Sequence, residues 1–143
     1  MSDESNAAVA AHEARQALLK RISAEMSAAQ KREFGKGPLS ARSYLFDDLL
    51  QVVMREGLTV AEHAMVRFGR RETVRSFRQD FQDQMAQGLT SLVEQATGRR
   101  VIGFASQIMF DPDVVITTFV FDRDIEGGFV QVEINGDAAS EPG

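Results

Sequence analysis

An α+β fold is what this sequence predicts: a two-layer sandwich in which long helices cover one face of an antiparallel four-stranded sheet. Three observations carry it. Two pairs of short segments rich in β-branched and aromatic residues read as hairpins, 42–55 and 101–121. A clean helical stripe lasts about seven turns, from Val74 to Ala96. Glycines and prolines punctuate the chain so that the elements follow in the order α-ββ-αα-ββ. Two hairpins and their long helices each have one apolar face to bury, and stacking the layers buries both.

The first element is a helix from about Ser5 to Glu33. Ala8, Ala11, Arg15, Leu19, Ile22, Met26 and Ala29 recur at spacings of three and four. Its first half is mostly alanine, which favours helix but offers little to bury. That half is expected to project or fray, over 1–14, while the second half docks. Such a seam can pair two subunits, giving a homodimer, or pack on its own domain. Gly35-Lys36-Gly37-Pro38 ends the helix, since glycine supplies a left-handed exit and proline cannot continue it.

Arg42–Phe46 and Leu49–Arg55 form the first hairpin around Asp47-Asp48, with Leu50, Val52 and Met54 on one face. Gly57 breaks the strand. Thr59-Val60-Ala61-Glu62 is a capping box that opens a short helix to about Arg67. Gly69 separates it from the long helix, which starts at Arg70 or Arg71, runs to Thr97 and is capped by Gly98. Val101–Phe110 and Val114–Phe121 make the second hairpin around Asp111-Pro112-Asp113. Ile102, Phe104, Ile108 and Phe110 share one face of its first strand, and Val115, Thr117, Phe119 and Phe121 one face of its second. One domain therefore covers 1–122. In the extension 123–143, Phe129–Ile134 alternates like a strand and the residues from Asn135 onward read as disordered. The strand either joins the edge of the sheet or is captured by a partner through strand addition.

Composition narrows the function. The chain has 143 residues, 43% hydrophobic and 26% charged, as expected of one globular domain. No apolar run approaches the ~18 residues that span a bilayer. Met1-Ser2-Asp3-Glu4 lacks the basic and apolar blocks of a signal peptide, so a cytoplasmic protein is expected. There are no cysteines, which excludes disulfides and thiolate chemistry. A net charge of -5 disfavours nucleic acid as a partner. No nucleophile elbow is present. Neither His12 nor His63 stands in a metal-ligand pattern. The aspartates at the two hairpin turns could approach a divalent cation only if both turns lay at one end of the sheet. A non-enzymatic chain without metal or cofactor is the expectation.

Two features stand out as candidate sites. Arg67, Arg70, Arg71, Arg75 and Arg78 crowd the start of the long helix, where cations are disfavoured by the helix dipole. Arg67, Arg71, Arg75 and Arg78 share a face if the helix is continuous. Planar guanidiniums suit carboxylates or phosphates, so the cluster is an anion or partner site, or else a solvated face paired with Glu62, Glu72 and Asp80. Lys36, between Gly35, Gly37 and Pro38, either adds a charge to an anion cradle or sits in a rigid structural turn; the loop lacks P-loop spacing.

The run Gly35-Lys36-Gly37-Pro38, Ser43-Tyr44-Leu45-Phe46-Asp47-Asp48 and Gly57-Leu58-Thr59 with Glu62 resembles the MpsC-like family. So do Gly69-Arg70, the long helix to Gly98 and the final hairpin ending at Asp122, and the resemblance covers about residues 15–122. The family is named for a subunit of a bacterial sodium-translocating, membrane-potential-generating system that includes inorganic-carbon transport subunits. The resemblance implies an accessory or adaptor protein that docks on membrane transport subunits, peripheral to the inner membrane. The alternative is a sensor that holds bicarbonate, phosphate or a nucleotide between Lys36 and the arginines.

Overall fold

A computed structural model describes residues 3–124 and 128–135. Three helices and five strands follow in the order α1 (Asp3–Phe34), β1 (Ser40–Phe46), β2 (Leu49–Arg55), α2 (Val60–Arg67), α3 (Arg71–Thr97), β3 (Val101–Met109), β4 (Val114–Phe121) and β5 (Val130–Asn135). All neighbouring strands are antiparallel, in the order β3-β4-β2-β1-β5.

The sheet thus has five strands where the sequence pattern predicts four. The fifth comes from the extension: β5 pairs with β1 from Leu45↔Val130 to Ser40↔Asn135. The physical reason lies in α1, which lies over β1 and β5 while α3 lies over β3. Two helices, each ~10 Å across, need the breadth of four or five strands spaced ~4.8 Å apart. Without β5, the apolar side of α1 would overhang the sheet edge. The expectation of disorder starts one residue too early, since Asn135 ends β5 opposite Ser40; the rest of that segment, 136–143, lies outside the described residues.

The core lies between the layers. Leu19, Ile22 and Met26 of α1 meet Ala41, Leu45, Leu50, Val52, Met54, Phe119, Phe121, Val130 and Val132 of the sheet. Polar groups within it pair with each other, Ser23 Oγ with Ser43 Oγ and Ser106 Oγ with Thr117 Oγ1, each at 3.0 Å. Val115, Thr117, Phe119 and Phe121 are all buried, but Ile102 is 62% exposed. A register shift between Val101 and Gly103 turns Ile102 away from the face that strict alternation assigns it.

Residues with left-handed φ stand where helices stop: Gly35 (φ 77) after α1 and Gly98 (φ 68) after α3. At the first hairpin turn Asp47 takes φ 53, a conformation aspartate tolerates. The two aspartate turns sit at opposite ends of the sheet. Phe46 and Leu49 beside Asp47-Asp48 are level with Val120, whereas Arg55 is level with Val114 beside Asp111–Asp113. A shared cation between the turns is therefore geometrically excluded.

Candidate functional site

The arginines divide into two groups because α2 and α3 are not one helix. Phe68–Arg70 separate them, with Gly69 at φ 79, so Arg67 does not continue the face of Arg71, Arg75 and Arg78. Arg67 and Arg70 are exposed. Arg70 is the N-cap residue of α3 and makes no side-chain cap.

Arg78 is the inward member, 1% exposed. Its Nε and Nη2 each donate to the Glu62 carboxylate at 2.6 Å, and Nη2 also donates to the Gly57 carbonyl at 3.0 Å. Its guanidinium lies 3.8 Å from the centroid of the Phe34 ring, a stacking contact that favours arginine over lysine. Glu62 is fixed in turn by the α2 capping box. Thr59 N donates to Glu62 Oε1 at 2.9 Å and Glu62 N donates to Thr59 Oγ1 at 3.1 Å. Burial alone pushes the Glu62 carboxyl up, but the Arg78 and Thr59 hydrogen bonds outweigh it and hold it below the ordinary carboxylate value.

Lys36 is engaged on the same loop. Its Nζ donates to the carbonyls of Glu56 at 3.0 Å and Leu58 at 3.1 Å. Three successive carbonyls, 56 to 58, thus accept from two cationic side chains. Asp113 holds the loop from the other side through Leu58 N to Oδ2 at 3.1 Å and Glu56 N to its own carbonyl at 3.0 Å. Gly57 is pressed against Gln30 so closely that a Cβ there would lie 2.1 Å from Gln30 Nε2. Lys36 and Arg78 are brought together, but around backbone. Gly35 and Gly37 bracket Lys36, and Pro38 is buried beneath the loop.

Arg71 and Arg75 form the outward pair. Both guanidiniums lie over the buried Phe110 ring, at 5.6 and 5.1 Å from its centroid. They line an open depression of ≈ 520 Å³ together with Gln79, Gln107, Met109 and Asp111. Arg71 pairs with Asp111, and Arg75 with Glu72 at 3.3 Å and with the Ile108 carbonyl at 3.0 Å. Both acids face solvent: the Asp111 and Glu72 side chains are 77% and 82% exposed. Two flat donors are thus fixed by an aromatic ring while their counter-charges face solvent, an arrangement in which incoming carboxylates can exchange with the resident ones.

Arg71 and Arg75 are legible as a pair from their spacing. Phe110, Gln107 and Asp113 carry no local signal as partners of this region, because they come from a hairpin more than thirty residues further on.

A family model described as Na+-translocating membrane potential-generating system (MpsC) matches residues 14–123. No curated protein and no solved structure matches the chain.

Proposed function

The chain belongs to the MpsC family of the Na+-translocating membrane potential-generating system, and from that premise we propose that it is a non-enzymatic accessory subunit that docks on the membrane subunits of such a system. None of the described helices is long and apolar enough to cross a membrane. In this reading the association is peripheral, protein on protein. The docking face is the depression around Arg71 and Arg75, and its partner is an acidic segment of a membrane subunit.

The observation that carries this reading is the pair of guanidiniums laid over Phe110 with exposed, exchangeable counter-acids. Pre-ordering of the two flat donors lowers the entropy lost when a carboxylate-bearing segment binds. Lys36 and Arg78 serve a different end, since their donors are occupied by the 56–58 loop and by Glu62. A small-anion sensor would accordingly rest on Arg71 and Arg75, without Lys36.

The test is recovery of membrane transport subunits by the tagged full chain from gently solubilised native membranes, beside the double variant Arg71→Glu/Arg75→Glu. Capture by the parent chain and loss in the variant, with circular dichroism unchanged, supports the reading. Equal capture by both overturns the assignment of this face.

A further inference from the structure

β3 is an edge of the sheet, with β4 its one strand neighbour among the described residues. Two bonds fix which of its backbone groups face away from β4. Phe121 N donates to the Asp48 carbonyl on the β2 side at 2.8 Å, and Asp122 N to the Arg100 carbonyl on the β3 side at 3.0 Å. Bonding alternates along an antiparallel strand, so the even-numbered residues of β4 serve β3. Their partners are Ala105, Gln107 and Met109. Ser106 and Ile108 accordingly turn their N–H and C=O groups to the outer edge. Both residues are under 8% exposed, so side chains and no strand cover that edge. Arg75 is one of them: its Nη1 donates to the Ile108 carbonyl at 3.0 Å, standing in for the N–H of a missing strand.

Natural sheets commonly protect an edge with charge, proline or a bulge in the strand itself. β3 has nine residues without charge or proline, and its register shift lies at the far end, between Val101 and Gly103. α3 runs alongside it in the opposite direction. Val101 N donates to Glu94 Oε2 at 2.9 Å near the end of α3, and Arg75 near its start holds Ile108. The Arg71–Arg75 depression is therefore a groove between a helix face and a strand edge. Arg71 and Arg75 stand one turn apart, about 6 Å along the helix. Alternate side chains of a strand repeat at about 6.7 Å, so the two spacings match.

We propose that the docking partner enters this groove as an extended segment, adding a sixth strand antiparallel to β3 and setting alternate carboxylates on Arg71 and Arg75. The inference rests on the reading of that face as the docking site. A residue added opposite Ile108 exchanges both backbone bonds with it and points its side chain to the same side, towards Arg75. Arg75 leaves the Ile108 carbonyl for the carboxylate, and the added N–H takes its place. The residue two positions earlier is level with Phe110 and Arg71. Two positions later lies Gln79, whose amide donates to Asp83 at 3.0 Å, so a third acid is disfavoured there. The recognised pattern is acid-x-acid followed by uncharged residues. Asp111 and Glu72, the resident partners of the arginines, turn to solvent when it binds, while the exposed Arg70 keeps this end of α3 positive. A second copy of β3 carries no carboxylate and would leave both guanidiniums unmatched.

The probe is an acetylated, amidated heptapeptide with glutamate at its second and fourth positions and threonine elsewhere, titrated into the full chain and followed by NMR. Binding should slow amide exchange at Ser106 and Ile108 about tenfold or more and leave Gln107, already bonded to β4, unchanged. N-methylating the fourth and sixth peptide residues, whose N–H groups face β3, should weaken binding about tenfold or more. N-methylating the third and fifth should not. Replacing both glutamates by glutamine should weaken it as much as the first change. Equal binding by the two methylated peptides overturns the added strand and leaves an acidic docking face in place. Indifference to glutamine overturns the charge pairing. No binding of the parent peptide overturns the proposal outright, while the docking face itself is judged by recovery of membrane subunits. Protection of Ser106 and Ile108 that grows with the concentration of the chain alone would give the edge to a second copy and overturn the acidic segment.

Discussion

Arg78 and Glu62 face each other through two 2.6 Å hydrogen bonds inside the domain, with the arginine 1% and the glutamate 6% exposed. The pair joins α3 to the capping box of α2 and, through the Gly57 carbonyl, to the loop leaving β2. Breaking such a pair strands a charge out of water, which typically costs about 3–5 kcal/mol. Glu62→Gln should accordingly destabilise the protein by about 3 kcal/mol in urea unfolding. Arg78→Met in the Glu62→Gln background removes the stranded cation and should recover part of the loss. A double variant as unstable as the sum of the single ones would contradict the pairing.

The same contact sets a direction for acid sensitivity. The folded state holds the Glu62 carboxyl below its unfolded value. Its ionised form therefore stabilises the fold above the unfolded value, ~4.3, and this contribution is lost as pH falls through the lower folded value. The stability gap between the parent chain and Glu62→Gln should be constant near pH 7 and shrink in that acid window. A gap that widens on acidification would reverse the sign argued for Glu62.

Gly57→Ala should cost about 1–3 kcal/mol, since the added Cβ would lie 2.1 Å from the buried Gln30 amide. The φ of Gly57 is outside the left-handed region, so the cost is steric. Gln30→Ala in the same chain should relieve it. Thermal unfolding of the single and double variants reads this directly.

Ending the chain at Asp122 removes β5 and with it Val130 and Val132, 1% and 5% exposed. Each buried valine contributes about 1.5 kcal/mol or more. The truncated chain should unfold several degrees earlier and associate through the bared edge of β1. Unchanged melting on truncation would show that β5 is dispensable. The extension therefore makes a poor test of partner docking by deletion. Point changes at the solvent-facing Gln131 or Glu133 are the better probe.

If the Arg71–Arg75 depression instead takes small anions, millimolar phosphate or bicarbonate should raise the melting temperature of the parent chain, and Arg71→Glu/Arg75→Glu should abolish the shift. No shift with either anion would leave the acidic-segment reading as the better account.

Most of the architecture was legible where local chemistry and burial agree. The α2 capping box, the Gly98 stop of α3 and the buried Leu50-Val52-Met54 face all follow from short-range pattern. The fifth strand was visible as alternation at 129–134, but its partner, β1, lies some ninety residues away, and nothing local distinguishes an edge strand from a free motif. The candidate site was legible only in composition. Spacing placed Arg71, Arg75 and Arg78 on one helix, but it could not divide them. Arg78 turns inward because Glu62 and Phe34 wait there; Arg71 and Arg75 turn outward onto Phe110. Those partners come from other elements, and Ile102 escaped its predicted face through a one-residue slip that alternation does not encode.

The place of β1 between β2 and β5 has a consequence for synthesis. Its first neighbour is available within a few residues of the Asp47-Asp48 turn, but its second, up to Asn135, emerges from the ribosome only after all the other described elements have been made. Until then one edge of β1 is open and the Leu19–Met26 side of α1 lacks half its floor. Contacts of such long sequence separation are slow to form. The nascent chain must therefore carry a sticky, incomplete sheet to a late stage, and it is in that interval that a holding chaperone would find it.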